Sequence, residues 1–311
     1  MVNTDARLSP AVRKLYPWKG EFFEHPDGLK QHYLDVGERD GETLLFVHGN
    51  PTWSFYWRTL IAPLVEDGYR CVAVDHIGCG LSDKPQDWSY ILDNHIANLE
   101  RLIEHLDLTN VTVFVHDWGG AIGFSTAARM THRIKRFVVF NTLCEFGDFP
   151  LIIKSCRWPV VSPLAVRGMN MFLKLAMKHG TSKPLDFKGP IGEGYLAPYG
   201  SWDNRVAIHR FIQDIPIEKG HPTWKHRVDL PLAVAKFRDT PTLVIWGNQD
   251  FVFHHGFRDG WRRAIPNCEY HEFDDANHFV VEDAHERIVP LVREFLRPGS
   301  TTSPDAGSAD E

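Results

Sequence analysis

The chain has 311 residues, of which 43% are hydrophobic and 24% are charged. This composition is typical of a globular protein and excludes intrinsic disorder, collagen and coiled coil as the main architecture. The 34 basic and 40 acidic residues give a net charge of -6 without a long basic run, so nucleic acid is not expected as a partner.

The predicted elements begin with a hairpin formed by residues 20–25 and 30–36 around the turn sequence Pro-Asp-Gly. Short, continuous apolar runs follow, which are typical of strands covered on both faces of a parallel sheet. Segments of helical length come after most of them, for example 94–106 and 119–130, which indicates right-handed βαβ units. The predicted strands are 43–47, 70–74, 111–115, 136–140, 242–246 and 268–273.

This rhythm of strands stops between residue 141 and about residue 236, where Trp, Phe, Met and Pro occur with helical apolar spacing. We interpret that stretch as a helical cap. The predicted organisation is a core in two parts, 1–147 and 236–298, with the cap at 148–235. The last residues, 299–311, are Gly, Ser, Thr, Pro, Ala and acidic residues without a large apolar side chain, so a disordered tail is expected there.

Neither a membrane-spanning helix nor a signal peptide is indicated by the sequence. No apolar run approaches the ~20 residues that a spanning helix needs, and the first residues lack the apolar core of a secretory signal. We therefore expect a cytoplasmic protein without a membrane partner. The five cysteines are an odd number without CxxC spacing, which predicts free thiols and no zinc site.

Asp117 lies between a predicted buried strand and a predicted helix, in the sequence Val-His-Asp-Trp-Gly-Gly. This is the context of a nucleophile elbow, in which serine usually takes the central position. A carboxylate is already ionised at neutral pH and can attack a saturated carbon to form an alkyl ester. Alternatively, Asp117 is only the N-cap of the helix, because Asp is a favoured capping residue.

Other parts of a catalytic site follow in a recognisable order. Asp250 comes after the strand predicted at 242–246, and His278 lies in the loop after the next strand. Nucleophile, acid and histidine in this order are typical of α/β hydrolases. Asn50 follows the first buried strand in the sequence His-Gly-Asn-Pro, where its backbone N–H and that of Trp118 can form an oxyanion hole.

These motifs resemble those of the haloalkane dehalogenases, from about residue 16 to residue 296. The matching segments are 48–54, 75–85 and 116–120, together with Asp250 and His278. The resemblance implies an α/β-hydrolase fold, with a mostly parallel eight-stranded sheet and a helical cap inserted after strand six. It also implies hydrolysis of a haloalkane to an alcohol, a halide ion and a proton, without a metal or an organic cofactor.

The resemblance assigns a role to each of five residues. Asp117 is the nucleophile, His278 activates water, and Asp250 orients the histidine. The side-chain N–H groups of Asn50 and Trp118 hold the halide, a combination that resembles the third subfamily of these enzymes. The implied partners are a small halogenated hydrocarbon and a halide ion. Whether the chain forms a homo-oligomer is left open by the resemblance.

Two alternatives remain at this point. In another branch of the family the acid follows the sixth strand, close to Asn141, so Glu145 is kept as an alternative to Asp250. An epoxide hydrolase is the alternative function, and it would protonate its alkoxide leaving group, usually from cap tyrosines such as Tyr195 and Tyr199. Asn50 favours the dehalogenase, because a halide needs only N–H donors.

Other classes fit less well. A fluoroacetate-type dehalogenase would carry Arg where this chain has Trp118, and a serine esterase would carry Ser at position 117. The segment His-Glu-Phe-Asp-Asp at 271–275 lacks the second histidine of a zinc protease motif. A non-catalytic relative of this fold would usually have an incomplete triad.

Overall fold

The computed structural model describes residues 3, 5–159 and 161–297, so the tail predicted at 299–311 lies outside the described residues. Within them, eight strands form one sheet in the order β1-β2-β4-β3-β5-β6-β7-β8. The β1–β2 and β2–β4 pairs are antiparallel and the other pairs are parallel. The strands are β1 Glu21–Glu24, β2 Lys30–Val36, β3 Thr43–Val47, β4 Arg70–Val74, β5 Val111–Asp117, β6 Ile134–Thr142, β7 Thr242–Gly247 and β8 Glu269–Phe273.

Helices cover the sheet and form all of the regular structure described between β6 and β7. The α-helices are α1 Pro10–Leu15, α2 Arg58–Glu66, α3 Leu92–His105, α4 Trp118–Ala127, α5 Leu151–Ser155, α6 Val161–Pro163, α7 Met171–His179, α8 Pro190–Leu196, α9 Val206–Gln213, α10 His226–Ala235, α11 His255–Ala264 and α12 Val280–Leu296. A π-helical turn, Leu164–Gly168, follows α6. Short 3₁₀ turns are Ser54–Trp57, Thr131–Arg133, Ala197–Tyr199, Asp203–Arg205 and Pro222–Lys225.

The core consists of two apolar clusters. Alternate residues of β3 enter different clusters: Leu45 and Val47 belong to one, Leu44 and Phe46 to the other. Because neighbouring residues of a strand face opposite sides of a sheet, the two clusters cover its two faces. This arrangement explains why the strands are continuous apolar runs, and it confirms the predicted doubly covered, mostly parallel sheet.

The predicted hairpin and strands are present, with differences at the ends of β5 and β6. Each strand extends two residues beyond its apolar run toward the C-terminus, to Asp117 and Thr142. The additional residues include His116 and Asn141, which are fully buried but hydrogen-bonded to other parts of the chain. The apolar run in the sequence is therefore shorter than the strand, because the buried polar side chains at its end form hydrogen bonds with distant residues.

The residues 148–235, here called the helical insertion, are tied to the core by buried polar contacts. Arg58 of α2 forms a bidentate ion pair with Glu282 of α12, at 2.6 and 2.8 Å, and the hydroxyl of Tyr195 donates to the same carboxylate. The indole N–H of Trp53 donates to the carbonyl of Gly194 at 3.1 Å. No helix in the described part of the chain is both long and apolar enough to cross a bilayer.

Candidate active site

Asp117 lies at a sharp turn between β5 and α4. Its backbone has φ 53° and ψ -127°, a conformation that is costly for a residue other than glycine and that recurs at functional sites. A side chain on Gly119 would approach the carbonyl oxygen of Val47 to 2.1 Å, so α4 needs glycine to pack this closely. The Asp117 side chain accepts no capping hydrogen bond from the second or third residue of α4, Gly119 or Gly120. The geometry is therefore that of an elbow and does not support the N-cap interpretation.

The carboxylate of Asp117 is held by backbone N–H groups. The N–H of Asn50 donates to Oδ1 at 2.5 Å, and the N–H of Trp118 also donates to the carboxylate. Position 49 requires glycine, because the Cβ of any other residue would lie 2.1 Å from the same oxygen. Burial raises the pKa of Asp117 to about 6, although His278 and the two N–H groups oppose that rise.

His278 lies between two carboxylates. Its Nδ1 is 2.8 Å from Oδ2 of Asp250, and its Nε2 is 3.9 Å from Oδ2 of Asp117. Burial acts to lower the pKa of His278, but Asp250, through charge and a hydrogen bond, and Asp117 outweigh it and raise the pKa. The histidine is thus oriented by Asp250, with Nε2 directed toward Asp117.

Asn141, at the end of β6, holds Asp250 in place. Its Nδ2 donates to Oδ2 of Asp250 at 2.9 Å and to the carbonyl of Gly247 at 3.0 Å, and its Oδ1 accepts from the N–H of Gly247 at 2.8 Å. The other oxygen of Asp250 accepts from the N–H groups of Val252 and Phe253. The sequence identifies Asn141 only as a non-acidic residue near the alternative position of the acid, and it does not indicate that Asn141 holds Asp250 by hydrogen bonds.

Replacing Asn141 by Ala is expected to destabilise the fold by about 1–3 kcal/mol, because the N–H of Gly247 loses its acceptor in a buried position. If a bromoalkane forms an ester on Asp117, the same change should slow hydrolysis of that ester more than its formation, because Asp250 acts through His278, which Asn141 helps to orient. Urea unfolding and single-turnover kinetics measure the two effects. Asn98→Ala, a buried amide on α3, is the matched control. Equal slowing of both steps would contradict a positioning role.

His116 positions the backbone of His278. Its Nε2 donates to the carbonyl of His278 at 2.9 Å, and its ring stacks on Tyr56 with 4.6 Å between centroids. Burial holds the pKa of His116 well below its usual value, so the ring is neutral. The available signal in the sequence was a histidine at the end of an apolar strand, directly before the proposed nucleophile.

Two apolar cavities meet at Asp117. The larger has a volume of about 420 Å³ and the narrower one about 40 Å³. The residues that line both are Asn50, Asp117, Ile153, Phe172 and Val252. The larger cavity is bordered by α5 and α7 of the helical insertion, and the narrower one is rich in Phe and Ile side chains.

The side chains of Trp118 and Asn50 border these cavities. Trp118 lines the narrower one, and no described residue accepts a hydrogen bond from its indole N–H. The Asn50 amide nitrogen donates to the carbonyl of Ile208 at 3.2 Å, while Oδ1 is buried without a partner among the described residues. One N–H of Asn50 is therefore already used within the protein.

Three further candidates lie away from this site. Glu145 is exposed and faces Arg263 at 3.4 Å. The hydroxyl of Tyr195 bonds to Glu282, and that of Tyr199 donates to the carbonyl of Thr52 at 3.2 Å. Neither tyrosine lines a cavity beside Asp117. The structure thus brings Asp250 and not Glu145 to His278, and it gives both tyrosines packing partners elsewhere. Among the described residues, no cluster of His, Cys, Asp or Glu has the arrangement of a metal site.

The chain is similar in sequence and fold to several known proteins. The family model for the alpha/beta hydrolase fold matches residues 42–155. A cis-3-alkyl-4-alkyloxetan-2-one decarboxylase of Shewanella oneidensis is 41% identical, covering 95% of this chain and 94% of that protein. Haloalkane dehalogenase 2 of Mycobacterium tuberculosis is 30% identical, covering 90% and 96%. The structure of the haloalkane dehalogenase DatA from Agrobacterium tumefaciens superposes with a TM-score of 0.78, at 28% identity over 90% of this chain and 97% of that one.

Proposed function

Because the chain belongs to the haloalkane dehalogenase family of α/β hydrolases, we propose that it attacks a carbon–oxygen bond of a cis-3,4-dialkyl oxetan-2-one through Asp117. The products are a cis alkene and carbon dioxide. The observation that carries this proposal is the pair of apolar cavities that meet at Asp117. A four-membered lactone ring placed at the junction would direct its two neighbouring alkyl groups into separate cavities, with the longer one in the cavity of about 420 Å³.

The similarity to relatives of that name supports the same substrate class. The Shewanella protein is 41% identical, and a protein of the same name from Xanthomonas campestris pv. campestris is 39% identical over 93% of its length. The haloalkane dehalogenases named above share 30% or less. A lactone ring in this site would meet an anionic nucleophile, N–H donors and otherwise apolar walls.

In the first step, the free oxygen of Asp117 attacks the saturated ring carbon that is bonded to the ring oxygen, not the carbonyl carbon. The bond between that carbon and the ring oxygen breaks, and the lactone becomes a carboxylate. The chain then carries an alkyl ester on Asp117. The indole N–H of Trp118 and the remaining N–H of Asn50 stabilise the charge that develops on the departing oxygen.

In the second step, the carbon–carbon bond to the new carboxylate breaks and carbon dioxide leaves. The electron pair of the broken carbon–carbon bond forms the double bond to the neighbouring carbon. The bond between that neighbouring carbon and Asp117 breaks, which restores the Asp117 carboxylate. In-line attack inverts the first carbon, and departure of the two groups from opposite faces then gives the cis alkene from the cis lactone. No water is consumed, so His278 transfers no proton in this sequence.

Haloalkane hydrolysis is the second candidate, favoured by the indole N–H of Trp118 beside Asp117. Asp117 would displace the halide, and His278, oriented by Asp250, would take a proton from the water that attacks the ester. The backbone N–H groups of Asn50 and Trp118 would hold the resulting oxyanion. The epoxide hydrolase alternative has less support, because Tyr195 and Tyr199 do not line the cavities.

Turnover in water labelled with oxygen-18 distinguishes these reactions. With a cis-3,4-dialkyl oxetan-2-one we expect alkene and carbon dioxide, no label in the Asp117 peptide and none in the released products beyond spontaneous exchange of carbon dioxide. Hydrolysis of a bromoalkane would instead place label in the Asp117 carboxylate. Labelled 3-hydroxy acid from the lactone, or bromide release faster than alkene formation, would overturn the decarboxylation proposal.

Asn50→Ala tests stabilisation of the leaving group. Loss of one such donor costs on the order of 3 kcal/mol, or about a hundredfold in rate. We expect formation of the ester from a bromoalkane to slow by that factor and inhibition by bromide to weaken, as measured by single-turnover kinetics and inhibition assays. Ester hydrolysis should change less, because the backbone N–H of residue 50 remains. Unchanged ester formation and unchanged bromide inhibition would remove Asn50 from the site.

A further inference from the structure

The first half of the helical insertion exposes an unusual number of large apolar side chains. Trp158 is 64% exposed and Leu164 58% exposed. Single exposed apolar residues are ordinary, but several within one short segment indicate a surface that binds something. The exposed apolar residues of this segment include Leu151, Trp158, Val161, Leu164, Met169 and Met171. Together with the exposed lysines described next, Lys174, Lys178 and Lys183, they are here called the apolar–basic face.

The same segment is basic in a chain whose net charge is -6. Between Asp148 and Asp186 the sequence contains no acidic residue. Its cationic residues are Lys154, Arg157, Arg167, Lys174, Lys178 and Lys183. Lys174, Lys178 and Lys183 are exposed, and no carboxylate of the described residues forms an ion pair with them.

Helix α7 shows how the two properties combine. Met171, Lys174, Leu175 and Lys178 are exposed and follow the spacing i, i+3, i+4, i+7, which places them on one side of the helix. The opposite side is buried and includes Leu173. A helix side that mixes apolar and lysine side chains is typical of segments that lie on an anionic bilayer, where the lysines reach phosphate groups and the apolar side chains enter the interface.

The mouth of the larger cavity opens beside this helix. Leu175 and Phe251 both line the cavity and are 39% and 45% exposed, so they form its rim. We propose that the apolar–basic face docks the protein on the surface of an anionic phospholipid bilayer, with the cavity mouth next to the lipid. Docking of this kind does not depend on the reaction proposed above, and it departs from the expectation from the sequence that the protein has no membrane partner.

A second copy of the chain fits this face less well. In a symmetric dimer the same surface contacts itself, so Lys174, Lys178 and Lys183 of one copy would face the same lysines of the other, and no carboxylate of the described residues pairs with them. Like charges brought together at an interface cost several kcal/mol. An anionic lipid surface supplies the missing negative charge and also accepts the apolar side chains.

Vesicle sedimentation with the full chain tests the proposal. We expect binding to vesicles of equimolar phosphatidylcholine and phosphatidylglycerol, weak binding to phosphatidylcholine alone, and release at high salt. Lys178→Gln combined with Lys183→Gln should lower the partition coefficient roughly thirtyfold. Leu164→Gln combined with Met171→Gln should also weaken binding, and neither pair includes a residue that lines the cavities.

The matched control is Val228→Gln combined with Leu232→Gln. These residues on α10 are 63% and 61% exposed, outside the apolar–basic face, and their replacement should leave vesicle binding unchanged. Equal binding to both kinds of vesicle, an equal loss in the control, or failure of the folded parent protein to bind anionic vesicles would overturn the proposal. Concentration-dependent self-association that the Leu164 and Met171 changes abolish, without vesicle binding, would assign the face to a second copy instead.

Discussion

Replacing Asp117 by Asn is expected to lower turnover of both a dialkyl oxetanone and a bromoalkane roughly a thousandfold or more, because a neutral amide is a poor nucleophile. Alkene, carbon dioxide and bromide release measure the effect. The same substitution at Asp214 is the control. Asp214 is also buried, which raises its pKa to about 7, but its carboxylate bonds to the N–H of Leu92 and the hydroxyl of Thr223 and lines neither cavity. Near-normal turnover in Asp117→Asn would show that Asp117 is structural.

The inactive variant should nevertheless be at least as stable as the parent. Burial raises the pKa of Asp117 from 3.8 to about 6. As pH rises from about 4 to about 6, Asp117 ionises in the unfolded chain but not yet in the folded one, so the folded state loses stability. This loss remains at every pH above 6. Asn carries no such cost, and thermal unfolding at pH 8 should show an unchanged or higher Tm. In the parent, the rate should fall as pH drops below about 6, because protonated Asp117 cannot attack. A profile that stays flat well below pH 6 would contradict this.

Replacing His278 by Phe is expected to separate the two candidate reactions. With a bromoalkane, one alkylation per site should occur and the ester on Asp117 should accumulate, because no group remains to activate water. With the oxetanone, turnover should continue, because elimination from the ester needs no water. Intact-protein mass spectrometry detects the adduct, and gas chromatography detects the alkene.

The control for this change is His179→Phe. His179 lines the same larger cavity but is exposed. It should retain bromoalkane hydrolysis if the parent has it. A His278→Phe variant that forms no adduct with bromoalkanes accepted by the parent would contradict the assignment of His278 to the second step. Accumulation of an alkyl ester from the oxetanone would show that His278 also acts in the elimination.

Much of the fold could be predicted from local patterns. A strand covered on both faces of a sheet is mostly apolar, and this pattern predicts β3 and β4 at their observed bounds. The elbow could be located because the strand, the turn and the small residues of α4 are contiguous. Asp250 and His278 followed from their positions after successive strands, since the ends of parallel strands meet at one edge of the sheet.

Other features depended on distances that no local pattern contains. Asn141 and His116 are polar residues at the ends of strands, and only the registers of β5, β6 and β7 bring them to Asp250 and to the backbone of His278. The choice between Asp250 and Glu145 as the partner of His278 likewise depends on tertiary geometry. Glu145 is only four residues from Asn141, but its side chain faces Arg263, outside the site.

The class of fold, the chain order of Asp117, Asp250 and His278, and the helical character of the insertion could all be predicted from the sequence, because each depends on the spacing of residues along the chain. The shape of the cavities and the exposed side of the insertion depend instead on how distant segments pack together. Ile153, Phe172 and Val252 line both cavities although they are far apart in sequence. Helical periodicity separates two sides of α7, but packing of Leu173 against the core decides which of them faces outward.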